Sequence, residues 1–112
     1  MKVLASTDGL NNRQQYKLYK PVNGVSVKAV EDGTLITVSQ WMYYEDLNHD
    51  GETVNVLSIF DETTGVTYQT NSDTFKREFD DMIYMLGEEG LQIIKKSGVT
   101  KSDRPFVTCV LA

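Results

Sequence analysis

The sequence predicts a mainly β fold: one domain over residues 1–112, built as a small antiparallel barrel of five strands with a single amphipathic helix between strands three and four. Three observations predict it. The 112 residues with 40% hydrophobic composition suffice for one core and are too few for two. Turn chemistry at Asn23-Gly24, Asp32-Gly33, Asp50-Gly51, Gly65 and Gly98 separates runs rich in Val, Ile, Thr and Tyr. Only one segment carries the helical period.

Taken in order, residues 1–12 are polar and are expected to form a mobile arm. The runs near 15–20, 25–30, 34–45, 52–61, 66–70, 91–97 and 105–111 read as strands. From Asp73 to Leu86, the apolar residues Phe75, Phe79, Met82, Ile83 and Leu86 fall at i, i+4, i+7, i+8 and i+11, on one face of a helix. Ser72 or Asp73 suits its N-cap, and Gly87 or Gly90 its exit. A sheet this small must hide its edges, and strands, one helix and a closing hairpin in that order match the OB-fold way of doing so. Phe60, Phe75, Phe79, Tyr84 and Phe106 are the rings expected in its core.

Several function classes find no support in the residues. No run approaches the roughly 20 apolar residues of a membrane span, and the first residues lack a signal peptide's apolar stretch. A soluble cytoplasmic protein without a membrane partner is expected. The lone Cys109 lies in the apolar run 106–111, where a reduced, buried thiol is the usual outcome. Asp46-Leu47-Asn48-His49-Asp50-Gly51 opens like a calcium loop, yet position 12 falls on Leu57 and strands flank it, so a hairpin tip without metal is expected. His49 sits in that tip, far from any nucleophile elbow, phosphate-cradling loop or paired ligands. The acid pairs Glu45/Asp46, Asp80/Asp81 and Glu88/Glu89 point apart on a strand or helix. No enzymatic activity and no cofactor are expected.

The net charge of −5 conceals a segregation along the chain. Residues 1–30 carry Lys2, Arg13, Lys17, Lys20 and Lys28 against Asp8, for +4, and residues 93–112 carry Lys95, Lys96, Lys101 and Arg104 against Asp103, for +3. The middle, 31–92, carries −12. In an OB barrel the two basic blocks would meet as one stripe, the arrangement an anionic strand needs for steering and counterion release.

Aromatic placement points the same way. Along 35–44 the period-2 pattern puts Ile36, Val38, Met42 and Tyr44 on one face and Thr37, Ser39, Trp41 and Tyr43 on the other. With the first face in the core, Trp41 and Tyr43 face solvent, ready to stack on bases; a bulge would expose Tyr44 instead of Tyr43. Tyr16 and Tyr19, interleaved with Lys17 and Lys20, repeat the aromatic-plus-cation pattern.

Between residues 24 and 111 the order of motifs resembles the small single-stranded DNA-binding proteins of protein-primed phages of Gram-positive bacteria. The residues that carry the resemblance are Asp32-Gly33-Thr34-Leu35-Ile36 leading into a long strand, Glu52-Thr53-Val54 after a polar loop, Gly65-Val66-Thr67-Tyr68, the helix after Ser72, and the hairpin from Ser97 to Thr108. The resemblance implies an OB-fold that coats displaced single strands during replication. It also implies Tyr43 and Tyr44 as binding tyrosines with Trp41 beside them, and Lys101 and Arg104 on a hairpin that grips the strand. One position departs from the family pattern: the tip carries Ser102-Asp103 where glycine is usual.

The leading expectation is a non-enzymatic, largely sequence-independent single-stranded DNA-binding domain, with replication proteins as further partners; the oligomeric state stays open, a monomer being slightly favoured. Stacking falls to Trp41, Tyr43, Tyr44 and Tyr19, and phosphate contacts to Lys17, Lys20, Lys28, Lys101 and Arg104. RNA in place of DNA stays open, since nothing reads a 2′-hydroxyl. The rival, motivated by the acidic middle, is a protein–protein module or DNA mimic that occupies a host enzyme.

Overall fold

The long strand expected over 34–45 is divided at Val38-Ser39, and the division sets the architecture. Described over residues 1–112 by a computed structural model, the chain sends consecutive amides to different sheets at this point: Val38 N–H donates to Leu91 O and Ser39 N–H to Phe60 O, each at 2.9 Å. β3 (Leu35–Thr37) therefore belongs to one sheet and β4 (Gln40–Leu47) to another. The buried Asp61 carboxylate accepts from Thr37 N at 3.0 Å and from Thr63 N at 2.9 Å, which ties the end of one sheet to the start of the other.

The remaining elements are β1 (Lys2–Ser6), α1 (Asn12–Tyr19), β2 (Gly24–Ser26), a 3-10 turn over Val27–Ala29, β5 (Thr53–Asp61), β6 (Val66–Thr70), α2 (Asp73–Leu86), β7 (Gln92–Val99) and β8 (Pro105–Leu111). The first sheet has the order β1-β4-β5-β6-β2 and the second β3-β7-β8. The fold is mainly β, but the strands form two sheets rather than a closed ring. β6 gives its outer edge to the parallel β2, and β8 meets α2 instead of another strand: Ser72 Oγ donates to Val107 O at 2.9 Å.

Two N-terminal expectations are corrected. Residues 1–12 are no mobile arm, since β1 pairs antiparallel with β4 from Lys2↔Glu45 to Ser6↔Met42. The segment 15–20 is the end of a helix. Asn11 and Gln14 form a reciprocal capping box, Gln14 N–H donating to Asn11 Oδ1 at 2.9 Å and Asn11 N–H to Gln14 Oε1 at 2.8 Å. Pro21, which has no N–H to give, follows its end. The expected strand at 25–30 shortens to β2 and turns helical at Val27.

Core formation follows from β4 being covered on both faces. Trp41 joins Ile36, Leu57, Ile59, Ile93, Phe75 and Phe79 in the main core under α2, whereas Met42 and Tyr44 join Leu18 in a smaller cluster under α1. α2 starts at Ser72, whose Oγ accepts from Phe75 N, and ends where Gly87 takes φ 73. Phe75 and Phe79 are wholly buried, and replacing either by Ala costs about 3–5 kcal/mol. Tyr84 is a correction: it lies opposite that apolar stripe, 91% exposed. Phe60 and Phe106 are half-buried, and Cys109 is buried, its thiol pushed up to about 12 by burial and then by Glu78. No helix is long and apolar enough to cross a membrane.

Candidate nucleic-acid interface

Helical period on α1 assembles what the strand reading had scattered. Arg13, Tyr16, Lys17 and Lys20 stand at i, i+3, i+4 and i+7, so they share one face, and all four are exposed. Tyr16 is 63% exposed and Leu18 faces the other way into the fold. No acid lies between Asn11 and Lys20. Arg13 is placed in the first turn, where the helix dipole disfavours a cation, which suits a residue kept for an anionic partner better than one kept for stability.

The first sheet holds this helix firmly. Ser58 Oγ donates to Leu18 O at 2.6 Å, and Gln69 Nε2 donates both to Leu18 O and to Tyr44 Oη at 3.1 Å. Lys28 lies on the same side of the sheet, across Gln69, beside a hollow of about 300 Å³ that it lines with Val56, Gln69 and Asn71. The structure thus places Arg13, Tyr16, Lys17 and Lys20 on one face of α1, with Lys28 beyond Gln69, which itself bonds to the helix at Leu18 O.

The expected stacking residues are corrected. Trp41 is 8% exposed, packs edge-on against Tyr43 and Phe79, and donates its Nε1–H to Glu88 Oε2 at 2.6 Å. Tyr43 is half-buried in the same cluster and donates its hydroxyl to Lys76 O. Burial first, and then the Asp80 carboxylate, raise its phenol pKa well above the ordinary value. Tyr44 is buried on the opposite face, its phenol pushed up to about 12 by burial and then by Asp46 and Tyr19. The β4–β5 register runs unbroken from Gln40↔Phe60 to Leu47↔Thr53, so no bulge exchanges Tyr43 with Tyr44. Within β4, Trp41 and Tyr43 alternate with Met42 and Tyr44 as expected, but the expected grouping across 35–44 is corrected: the break at Val38-Ser39 puts Ile36 and Val38 in the main core with Trp41, apart from Met42 and Tyr44, and each face of β4 has its own helix, so neither is wet.

Tyr19 is also engaged within the fold. Its hydroxyl donates to Asp46 Oδ2 at 2.8 Å, which raises the phenol pKa and lowers that of the carboxyl, and its ring meets Tyr44 edge-on with Lys20 Nζ 5.1 Å from the centroid. Tyr16 is the free aromatic of the region. The i, i+3, i+4, i+7 spacing it shares with its cations is the sequence signal that marks it.

Lys101 and Arg104 occupy the tip of the β7–β8 hairpin, exposed, in the second sheet. The tip closes without glycine because Asp103 itself takes φ 58, with Thr100 N–H donating to Arg104 O and Asp103 N–H to Thr100 O. This hairpin packs on β3 and α2 while α1 packs on β4 and β5, so the basic blocks form two patches on different elements rather than one stripe. Lys95 is lost to both patches: nearly fully buried, its Nζ donates to Val30 O and Asp32 Oδ1 at 2.8 Å. Of the Asp46–Gly51 segment, Asp46 and Leu47 end β4 and the rest forms the β4–β5 hairpin tip, with Asn48 Oδ1 accepting from Asp50 N and Glu52 N.

Searches against protein-family models, curated proteins and solved structures gave no match.

Proposed function

We propose that this chain binds single-stranded DNA with little regard to sequence, through the exposed face of α1. The observation that carries the reading is the acid-free row Arg13, Tyr16, Lys17 and Lys20, with Lys28 on the same side of the sheet. The cations meet phosphates and Tyr16 offers its ring to a base, the combination used by strand-coating proteins. Lys101 and Arg104 extend the grip from the hairpin. An OB-like lineage is supported by the run 35–47 divided between the two sheets as β3 and β4, by β3 pairing antiparallel with β7, and by α2 falling between β6 and β7. Coating of displaced strands in phage replication is the role that fits such a domain.

Anisotropy of a fluorescein-labelled oligo-dT tests the proposal at low and high salt. Wild type binds at low salt and releases as salt rises, and an Arg13→Ala/Lys17→Ala/Lys20→Ala triple variant loses most of the affinity. Absence of low-salt binding, or a triple variant that binds like wild type, rejects it.

A second reading, a protein-binding module, is favoured by the far end of α2. Tyr84, Met85 and Leu86 are exposed there beside Leu111, and residues 78–92 hold five acids and no base. An apolar patch in acidic surroundings suits a basic protein surface. Capture from nuclease-treated host lysate that is lost on Tyr84→Ser/Met85→Ser would favour it over the first.

A further inference from the structure

A groove of about 370 Å³ opens along one side of α1, between the helix, its exit through Pro21–Asn23, and the end of the β5–β6 turn at Gly65. Its size is at the low end for small-ligand clefts, about 300–1,000 Å³, and suits one planar heterocycle with its sugar. We propose that this groove receives the base of one nucleotide of the bound strand; the proposal rests on the reading of α1 as a strand-binding face.

The lining has the chemistry of a base site. Phe60, half-buried over the Met42 and Tyr44 cluster, contributes aromatic surface beside Leu18. Asn23 and Gln40 line the groove with amide side chains that make no hydrogen bond within the protein. Gln14 has its Oε1 engaged by Asn11 N and keeps its amino group free. An amide offers a donor and an acceptor side by side, the pairing that base edges present, and a pocket edged with amides reads several bases without demanding one. No acid lines the groove, and its single charge is Lys17. Lys17 belongs at once to the groove and to the exposed row with Arg13 and Lys20, so a backbone tracking α1 passes the groove's mouth with a phosphate at Lys17. The base attached to that phosphate then has a cavity within reach, while its neighbours have the ring of Tyr16.

Val22 stands fully exposed at the lip, where a larger side chain obstructs the groove without entering the core. The test uses the full chain, side-chain amide resonances of Asn23 and Gln40, and three probes: dTMP, inorganic phosphate and oligo-dT. Expected are shifts of both amides with dTMP and not with phosphate, their loss in Val22→Trp, and a fall in oligo-dT affinity on the order of ten-fold in Asn23→Ala/Gln40→Ala, as for the loss of one held base. Oligo-dT binding that survives both variants unchanged, with amides silent to dTMP, overturns the groove and leaves the strand reading standing. Shifts produced equally by phosphate overturn it as well, since an anion at Lys17 would then suffice. Failure of oligo-dT to bind, with dTMP still shifting the amides, supports the groove as a site for free nucleotide and removes the strand reading. Silence to all three probes removes both.

Discussion

Trp41 and Glu88, 47 positions apart in the chain, are joined by a 2.6 Å hydrogen bond from indole Nε1 to carboxylate Oε2. The bond fixes the ring from one side while Phe79 and Tyr43 hold it from the other. Saturating oligo-dT should therefore leave the emission of this single tryptophan unquenched even where anisotropy reports binding, and strong quenching would contradict the burial. Glu88→Ala removes the charged acceptor and should lower unfolding stability by about 1–3 kcal/mol in urea titrations.

Asp32 and Lys95 form a clasp that pins the 30–34 loop to β7. The Lys95 ammonium, followed by the Ser97 hydroxyl, lowers the Asp32 carboxyl below its ordinary 3.8. A lowered folded pKa means the stabilisation is complete above that ordinary value and is lost as pH falls through the folded one. Urea midpoints measured from pH 7 to pH 2.5 should fall below about pH 4, and Asp32→Asn should flatten part of that fall. At pH 7, Lys95→Ala should lower the midpoint far more than Lys96→Ala, because Lys96 is exposed.

Arg13 sets stability against binding. Removing a cation from the first turn of α1 should stabilise the fold by about 0.3–1 kcal/mol, while the same Arg13→Ala change weakens oligo-dT. The slope of log affinity against log salt should shrink by about 0.7, because one phosphate of the strand is no longer neutralised. Thermal melts and salt titrations on one variant read both effects, and a variant that loses both stability and affinity would point to a structural role instead.

The β7–β8 hairpin offers opposite outcomes at two positions, one in its tip and one in β7. Asp103→Gly relieves part of the roughly 1–2 kcal/mol that a left-handed conformation costs a residue with a Cβ, and should raise the melting temperature. Gly98→Ala should lower it, because the new Cβ would lie 2.5 Å from Phe106 Cζ and drive the ring from its seat.

Strong local patterns make much of the fold legible. β6, α2 and β8 coincide with the expected 66–70, 73–86 and 105–111, since each is framed by turn or cap residues and carries its period in full. α1 is disguised because Tyr16, Leu18 and Lys20 alternate like a strand, and the only counter-signal is the Asn11 and Gln14 pair that starts the helix. β1 is illegible for a different reason: its partner β4 lies some forty residues on, and five residues at the edge of a sheet, Lys2–Ser6, are too short a run to announce a strand locally. The site is hidden through the same dependence on distant elements. Alternation along β4 separates Trp41 from Met42 correctly, but only α1 and α2, placed by tertiary packing, decide whether either face meets water.

The Val38-Ser39 bend and the Ser72–Val107 bond lie on opposite seams between the sheets. One seam is a continuous backbone bend, and the other is closed by α2, through the Ser72 hydroxyl, the Cys109 thiol on Phe75 O and the core packing of Phe75 against Val107 and Cys109. The outer edge of β8 is thus guarded by a helix rather than by a strand, so its cover depends on how α2 is seated and not on the backbone pairing that holds the rest of the second sheet.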